Sequence, residues 1–258
     1  MIIEYELERS QSDNYYYCRT EKDLQHHTHV QSSFEFIYVF EGELSAYINA
    51  EEFRLKQGNA ILILPHQIHS YVTTQKSSYF LAIFSPSFVY DFYVATKDQS
   101  ATNPVFSPNK NIIPELREID PKDIYRTKSI LYKLVSIFDQ GTTYSSDFNT
   151  KDETFLKKCL NYIERNFMHD VSLVGLSKEL GYDYNYMSGL FNNFFNKSFL
   201  SFVNDYRINH AKHLLVTTTD SIAFIATACG YDNIRSFNRN FIKLTKTTPK
   251  NYRKGLFE

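Results

Sequence analysis

The sequence predicts two domains: an all-β barrel or jelly roll followed by helices, and then an all-α domain made of two helix-turn-helix units. Short runs of aromatic and β-branched residues, separated by turn residues, extend to about Ser85. From Asp123 onward, apolar residues recur at helical spacing. A segment that begins near Ser172 recurs 49 to 50 residues later. A length of 258 residues accommodates two domains of ordinary size.

The charge of the chain is unevenly distributed. The net charge is −1, from 28 basic and 29 acidic residues. Up to Thr150 there are 13 basic and 19 acidic residues, whereas from Lys151 onward there are 15 basic and 10 acidic residues. An acidic first part joined to a basic second part is typical of a protein whose second part binds nucleic acid.

The composition also predicts the compartment. The three cysteines, Cys18, Cys159 and Cys229, lie far apart and in no metal-ligand spacing, which favours free thiols in a reducing cytoplasm. The first residues lack a basic start followed by an apolar segment, and no apolar run approaches the roughly 18 residues that span a membrane. We therefore expect a cytoplasmic protein without a membrane partner.

Two turn signals divide the predicted β domain into strands. Residues 34–40 are rich in aromatic and β-branched residues and end at Glu41-Gly42-Glu43. Residues 44–48 then alternate between apolar and polar, which predicts a hairpin across Glu41-Gly42. Gln57-Gly58-Asn59 predicts a second turn. The apolar residues 60–64 predict a strand covered on both faces, and the run at 79–84 predicts another.

The middle of the chain changes from loop to helix. Four prolines between residues 103 and 121 predict loop, with room for a short helix. After Pro121, apolar residues at helical spacing predict a helix over 123–138, and the polar residues 141–146 predict a linker. The expected domains are therefore a barrel at 1–100, a connecting segment at 101–150 and a helical domain at 151–258.

The strongest pattern in the sequence is the repeat in the helical domain. Leu180-Gly181-Tyr182-Asp183 recurs as Cys229-Gly230-Tyr231-Asp232. In the first copy, Ser172 and Asp183 are predicted to cap two helices that turn at Gly181. In the second copy the predicted caps are Ser221 or Asp220 and then Asp232, and the turn is at Gly230.

Each copy predicts a helix-turn-helix whose second helix enters the major groove of DNA. The alternative is a plain bundle of six helices. Basic and amide side chains on the outward faces favour DNA binding, since Arg pairs with guanine and Asn with adenine. The expected DNA-binding residues on the second helices are Asn185, Ser188, Asn192, Arg235, Asn238, Arg239 and Lys243, of which Lys243 is also a candidate phosphate contact. The other expected phosphate contacts are Lys178, Lys197, Lys246, Lys250 and Arg253.

The helical domain closely resembles the paired helix-turn-helix domain of the AraC/XylS family of bacterial transcription regulators. The matching segments are 176–182, 186–191, 206–215, 222–232, 237–243 and 248–253. The resemblance implies that a helix at about 200–216 holds the two units one turn of DNA apart. Gly189, Asn192 and Asn193 stand where family members commonly carry basic residues. We therefore expect the second unit to supply more of the electrostatic affinity.

The β domain resembles the cupin barrel in two short motifs, which contain His27-Thr28-His29, Glu35, Gly42, Gly58, Pro65 and His69. In metal-binding cupins two histidines, a glutamate and a later histidine hold one ion. Here Gln67 replaces the glycine expected in the second motif. The AraC/XylS family carries such a barrel as an effector sensor, usually without a catalytic role.

These resemblances imply a DNA-binding transcription regulator controlled by a small molecule, with a sugar as one effector class. The expected partners are double-stranded promoter DNA, the effector, a second copy, and RNA polymerase if the protein is an activator. The apolar stripe of the helix at 123–138 packs either against the barrel or against the second copy, and the family resemblance favours the second copy. We expect no cofactor, bound metal or enzymatic activity.

One alternative is a metal-dependent cupin enzyme with His27, His29, Glu35 and His69 as ligands, and another is a regulator without an effector. The expected effector pocket comprises His27, His29, Glu35, Tyr38, Tyr47 and His69, with Tyr71 as a further aromatic candidate.

Overall fold

The computed structural model describes residues 3–6, 14–49, 51–145 and 151–255, with side chains in the last range from Thr154 onward. The chain divides into two compact units, one from Ile3 to Thr154 and one that begins at Phe155. The first unit is rich in β-strands and the second is helical, so the predicted fold class is confirmed. Among the described helices, none combines the length and the apolar character needed to cross a membrane.

The first unit contains two sheets and a layer of helices. A 3-10 turn, Pro86–Val89, leads into the first helix. The helices are α1 (Tyr90–Thr96), α2 (Ile112–Arg117) and α3 (Ile124–Gly141). The strands are β1 (Glu4–Tyr5), β2 (Tyr16–Lys22), β3 (Gln25–Val30), β4 (Phe34–Ile48), β5 (Glu51–Lys56), β6 (Ala60–Ile63), β7 (His69–Val72), β8 (Ser77–Phe84), β9 (Ser100–Ala101), β10 (Val105–Phe106) and β11 (Tyr144–Ser145).

Strand β4 belongs to both sheets. Its first half pairs with β6 and β8, and its second half pairs with β5 and β7. The predicted hairpin at Glu41-Gly42 is therefore wrong, because the chain bends there without reversing. A bulge lies between Val39 and Glu41, and Gly42 has a φ of +79° with Lys76 O only 2.0 Å from where a Cβ would stand. The reversal comes after Ile48, where β4 turns into β5.

Two apolar layers stabilise this unit. Ile37, Val39 and Leu44 of β4 lie in the layer between the two sheets. Phe34 and Phe36 point the other way and pack against the helices. Because successive side chains of a strand alternate between its faces, burial of both faces explains the continuous apolar runs in the sequence.

Helix α3 packs its apolar stripe into the second of these layers. Leu131, Leu134 and Phe138 are fully buried against the outer face of the sheet, and Asp123 caps the helix. The resemblance implied that this stripe forms a dimer seam. That expectation is wrong for these residues, since their own barrel already covers them.

The polar stretch after α3 is attached to the first unit over the residues that are described. Tyr144 and Ser145 pair with Ala101 and Ser100 in a short antiparallel ladder. The expected linker at 141–146 is thus partly a strand, and residues 146–150 lie outside the described residues. The division between the compact units falls at Thr154, beyond this stretch.

The second unit contains α4 to α10, and two helix-turn-helix units lie within it. Residues Ser172 and Asp183 cap α5 and α6 through their side-chain oxygens, as predicted, and Ser221 caps α8. The cap of α9 is Asn233, whose Oδ1 accepts from the Ser236 amide at 2.8 Å, so the prediction of Asp232 is wrong by one residue. The helices are α4 (Lys151–Asn166), α5 (Leu173–Leu180), α6 (Tyr184–Phe195), α7 (Phe199–Thr217), α8 (Ile222–Ala228), α9 (Ile234–Thr245) and α10 (Pro249–Arg253).

The turn of the second helix-turn-helix is packed against the chain that follows α4. Gly230 has a φ of +79°, and a Cβ there would lie 2.7 Å from Phe167 O. Arg207 of α7 occupies the same place, donating to Phe167 O at 2.7 Å and to His169 O at 2.8 Å. Its guanidinium lies over the ring of Tyr231 at 5.5 Å. Gly181 has the corresponding φ of +71°, but no atom lies within 4 Å of its Cβ position.

We predict that Gly230→Ala destabilises the second unit more than Gly181→Ala. Both substitutions put a Cβ into left-handed backbone, at a cost of about 1–2 kcal/mol. Only the first also forces the methyl against Phe167 O and Arg207, which adds about 1–3 kcal/mol. Urea unfolding followed by far-ultraviolet circular dichroism measures both losses on the full chain. Equal losses in the two variants would contradict the packing argument.

Candidate functional site

Helix α9 presents a basic face. Phe237 and Phe241 are fully buried and set the rotation of the helix. This rotation leaves Arg235, Arg239 and Lys243 exposed on the other side. Within the described part of the chain, no protein group forms a hydrogen bond or ion pair with the guanidinium of Arg235 or Arg239. The structure thus places three unengaged cations in one row, with the half-buried Asn238 beside them.

Helix α6 presents a polar face without basic residues. Met187, Phe191 and Phe195 are buried and set the rotation of this helix. Asn185 and Asn192 are exposed and Ser188 is half-buried, on the face expected to read DNA. The sequence contains no Lys or Arg from Asp183 to Phe195.

Three exposed tyrosines surround the start of α6, and the sequence analysis missed them. They alternate along the chain as Tyr182, Tyr184 and Tyr186. The rings of Tyr182 and Tyr186 lie 6.1 Å apart. Large aromatic side chains exposed on a helix that lacks cations offer stacking surface and hydroxyl donors instead of charge. The Tyr-X-Tyr-X-Tyr alternation was the signal available in the sequence.

Two of the expected phosphate contacts are engaged inside the protein. Lys197 Nζ forms an ion pair with Asp205 at 2.8 Å. Arg253 donates to Leu215 O at 3.3 Å and to Asp220 O at 2.6 Å, which ties α10 to the end of α7. The expectation for these two residues is therefore not supported by their positions.

The other three lysines keep an exposed position. Lys246, the left-handed cap residue of α9, donates from Nζ to Lys243 O at 3.1 Å. Lys178 of α5 and Lys250 of α10 are exposed to solvent. A lysine on the surface of a helix end has the reach to meet a phosphate, so these positions remain compatible with that role.

A cluster of buried polar residues lies between the two sheets of the barrel. It comprises His29 of β3, Glu35 of β4 and His69 of β7, none more than 2% exposed. His29 and His69 are paired across the strands, with ring centroids 4.0 Å apart. His69 Nε2 lies 3.8 Å from a carboxylate oxygen of Glu35. We call these three residues the inner set.

Backbone carbonyls fix the orientation of both imidazoles. His29 Nδ1 contacts His27 O at 2.9 Å, and His69 Nδ1 contacts Gln67 O at 2.8 Å. Because a carbonyl only accepts, each Nδ1 carries a proton, and Nε2 of the neutral His29 ring keeps its lone pair. Both Nε2 atoms are buried and have no hydrogen-bond partner among the described residues.

Gln67 supports this arrangement although a glycine was expected there. Its Oε1 accepts from the Leu64 amide at 2.7 Å and closes the turn before β7. The left-handed residue of this turn is its neighbour His66, with a φ of 63°. The departure from the cupin motif therefore leaves the position of His69 intact.

Burial and neighbouring charges shift the pKa values of His29 and Glu35 in the inner set. Burial, with a further contribution from the neighbouring His69, lowers the pKa of His29 to about 2, so this ring is neutral. Burial alone would raise the pKa of Glu35. The nearby His69, 3.8 Å away, with smaller contributions from His29 and Tyr71, outweighs burial and lowers the pKa to about 2. Gln31 Nε2 also donates to the Glu35 carboxylate at 3.0 Å.

The remaining residues of the expected pocket lie elsewhere. His27 is exposed and bonded to Glu4. Tyr38 faces the helices on the outer side of the sheet. Tyr47 follows Ala46, which faces the space between the sheets, so Tyr47 points to the opposite face. Tyr71 does join the cluster, with ring centroids 6.3 Å from His29 and 5.5 Å from His69.

Three of the four residues that the cupin resemblance assigned to a metal come together. The ligand atoms of the inner set lie within 4.8 Å of one another. Two imidazole nitrogens and one carboxylate oxygen form a donor set that zinc or ferrous iron accepts, and their orphaned Nε2 atoms fit such an ion. A bound ion would supply Lewis acidity at this position. The exposed His27 does not belong to the donor set.

Comparison with known families matches both units of the chain. Residues 14–120 match the AraC-like ligand binding domain, and residues 176–255 match a helix-turn-helix domain. Together the two matches span more than half of the chain.

Among known proteins, this chain is similar to an uncharacterized HTH-type transcriptional regulator of Staphylococcus aureus, with 35% identity over 111 residues. The match covers 43% of this chain but 15% of that protein. YtdP of Bacillus subtilis, another uncharacterized HTH-type regulator, is 34% identical over 94 residues, which cover 36% of this chain and 12% of YtdP.

Solved structures also align with this chain. ToxT of Vibrio cholerae aligns with a TM-score of 0.44 and 14% identity, covering 93% of this chain and 98% of ToxT. A Listeria innocua protein of unknown function aligns with a TM-score of 0.37 and 34% identity, covering 38% of this chain and 94% of its own. With a ligand-binding barrel followed by two helix-turn-helix units, this chain belongs to the AraC family.

Proposed function

We propose that the protein is a sequence-specific DNA-binding transcription regulator whose barrel binds a small effector. The observation that carries the DNA-binding part is the row of Arg235, Arg239 and Lys243 on α9. Among the described residues, no protein group forms a hydrogen bond or ion pair with these side chains. A surface that only contacts solvent has no need of cations that lack acidic partners. Here the row stands on the second helix of a helix-turn-helix, which is the element that enters the major groove.

Each exposed side chain of α9 suits a particular contact. Arg235 and Arg239 can donate two hydrogen bonds to guanine, and Asn238 can pair with adenine. Lys243, near the end of the helix, suits a phosphate. Helix α6 supplies amides, hydroxyls and aromatic rings instead of cations. The second unit therefore carries the larger electrostatic share of binding.

The length of α7 fits two units on one side of the duplex. Its 19 residues extend about 28 Å at 1.5 Å per residue. One turn of B-DNA is about 34 Å long. The two recognition helices, α6 and α9, would thus enter successive segments of the major groove. One chain would then bind two adjacent half-sites in direct orientation.

The inner set supports the effector part of the proposal. A carboxylate and the lone pair of the neutral His29 imidazole, both buried between the sheets, are matched to hydroxyl or other donor groups of a small polar molecule such as a sugar. Effector binding would shift the population of states in which the DNA-binding units engage a promoter. A second copy of the chain, bound through a surface other than the covered stripe of α3, and RNA polymerase at an activated promoter complete the proposed partners.

We predict that Arg239→Ala weakens specific binding. DNA is first selected from a random pool with the full chain, and Kd is then measured by fluorescence anisotropy. Loss of one bidentate contact costs about 1–3 kcal/mol, which is roughly a 5- to 150-fold rise in Kd. Lys128→Ala is the matched control, because it removes one exposed positive charge from α3 of the first unit. An unchanged Kd for Arg239→Ala would contradict the assignment of α9 as a helix that contacts DNA bases.

We predict that Gly189→Arg strengthens DNA binding by α6. Gly189 is exposed in mid-helix, and no atom lies within 4 Å of its Cβ position, so a side chain fits. Replacing the mid-helix glycine also stabilises the helix by about 0.5–1 kcal/mol. We expect tighter binding and a salt dependence of log K steeper by about 0.9 per added phosphate contact. Gly189→Ala is the control that adds stability without charge. Equal affinities of the two variants would contradict a DNA-facing α6.

We predict that a cognate small molecule raises the Tm of the protein in a thermal-shift screen of sugars and other polar metabolites. A ligand that binds only the folded barrel stabilises it by mass action, by about 2.7 kcal/mol at a hundred times its Kd. The shift should disappear in Glu35→Gln and persist in Tyr47→Phe, whose ring faces away from the inner set. A shift that survives Glu35→Gln would place the ligand elsewhere.

A further inference from the structure

A second group of metal-ligating side chains overlaps the inner set at His29. It comprises Glu6, which follows β1, and His26 and His29 of β3, and their ligand atoms lie within 4.8 Å of one another. We call these residues the outer set. Neither Glu6 nor His26 takes part in the cupin motifs or in the expected effector pocket.

A bulge in β3 brings the two histidines of the outer set together. Residues three apart in a regular strand point to opposite faces of the sheet. The pairing of β3 with β7 shifts between His26 and His29, and the two rings lie 4.2 Å apart on one side. Bulges re-aim side chains in this way and are frequent beside binding sites.

One carbonyl orients both rings of the outer set. His27 O lies 3.2 Å from His26 Nδ1 and 2.9 Å from His29 Nδ1, so both Nδ1 atoms donate to it. Each ring therefore directs its Nε2 lone pair away from the strand. In metal sites, a second-shell carbonyl that holds the far nitrogen of a histidine fixes the tautomer and the ring orientation.

The distances suit a small divalent ion. His26 Nε2 lies 3.3 Å from Glu6 Oε1. Two ligands at about 2.1 Å from a tetrahedral ion are about 3.4 Å apart, so an ion fits between them without a large movement. The buried His29 Nε2, which has no partner among the described atoms, supplies the third donor.

Access distinguishes the outer set from the inner set. The side chains of His26 and Glu6 retain 23% and 12% exposure, so a hydrated ion can reach them. All three residues of the inner set are closed from solvent, and the Glu35 carboxylate already accepts from Gln31. His29 has one available nitrogen and can serve one set at a time.

We propose that Glu6, His26 and His29 bind a divalent transition-metal ion that fastens the N-terminal strand to the barrel. Two imidazoles and a carboxylate select ions of the zinc and cobalt class over magnesium or calcium, which prefer oxygen ligands. Strand β1 is only two residues long and pairs with His29 and Val30 of β3. The Glu6 amide adds one bond, to Val30 O at 2.9 Å. An ion on Glu6 would reinforce this short attachment.

The test is a titration of the chelator-treated full chain with Co²⁺, followed by its visible absorption and by competition with Zn²⁺. We expect stoichiometric binding that Glu6→Gln and His26→Gln each weaken by at least about tenfold. His27→Gln and Glu4→Gln are matched controls, since these residues form an exposed pair on the same two strands, and they should leave the affinity unchanged. Circular dichroism confirms that each variant is folded.

Substitutions in the inner set complete the experiment. If Glu35→Gln and His69→Gln abolish binding while Glu6→Gln does not, the ion belongs to the inner set and the proposal is overturned. Equal losses in both sets, or no binding by the unmodified chain, also overturn it. Hydrogen exchange gives a second readout that needs no DNA: Zn²⁺ should slow exchange of the Glu6 amide. Unchanged exchange with the ion bound would refute the fastening of β1.

Discussion

The double helix-turn-helix depends on how Arg207 fills the space beside Gly230. The guanidinium leaves α7, donates to the carbonyls of Phe167 and His169, and covers the ring of Tyr231. Burial lowers the pKa of Arg207, and the two carbonyls supply the acceptors that its charge requires. The segment after α4, the connecting helix α7 and the turn of the second unit therefore meet at one side chain. This contact holds the second helix-turn-helix unit against the connecting helix and the segment after α4.

The barrel depends on the continuous strand β4. Because one strand serves both sheets, the inward positions of its two halves face one shared interior, and Glu35 meets histidines from β3 and β7 there. A bulge bends β4 at Gly42, and another turns His26 and His29 to one side of β3. The first bulge lets one strand enter both sheets, and the second places His26 and His29 on one side, where a regular pleat would separate them. The same device thus builds the barrel and its histidine cluster.

The helical unit was largely predictable, because its signals are local. Caps at Ser172, Asp183 and Ser221 depend on a side chain and an amide three residues on, and these predictions are confirmed. The cap at Asn233 differed because the second turn holds one extra residue, and the sequence offered two adjacent capping residues. The hydrogen bonds of Arg253 could not be predicted, since their acceptors, Leu215 O and Asp220 O, lie more than 30 residues away along the chain.

By itself, the sequence determined the two-unit fold class, the repeat and the concentration of positive charge on α9, because helical period, capping and charge are properties of short segments. Only the tertiary structure decided which side chains share a site. Strand pairing brings His29, Glu35 and His69 together and leaves His27, Tyr38 and Tyr47 outside. A shift of one residue in register reverses the face of every side chain, and bulges make such shifts without a mark in the local sequence.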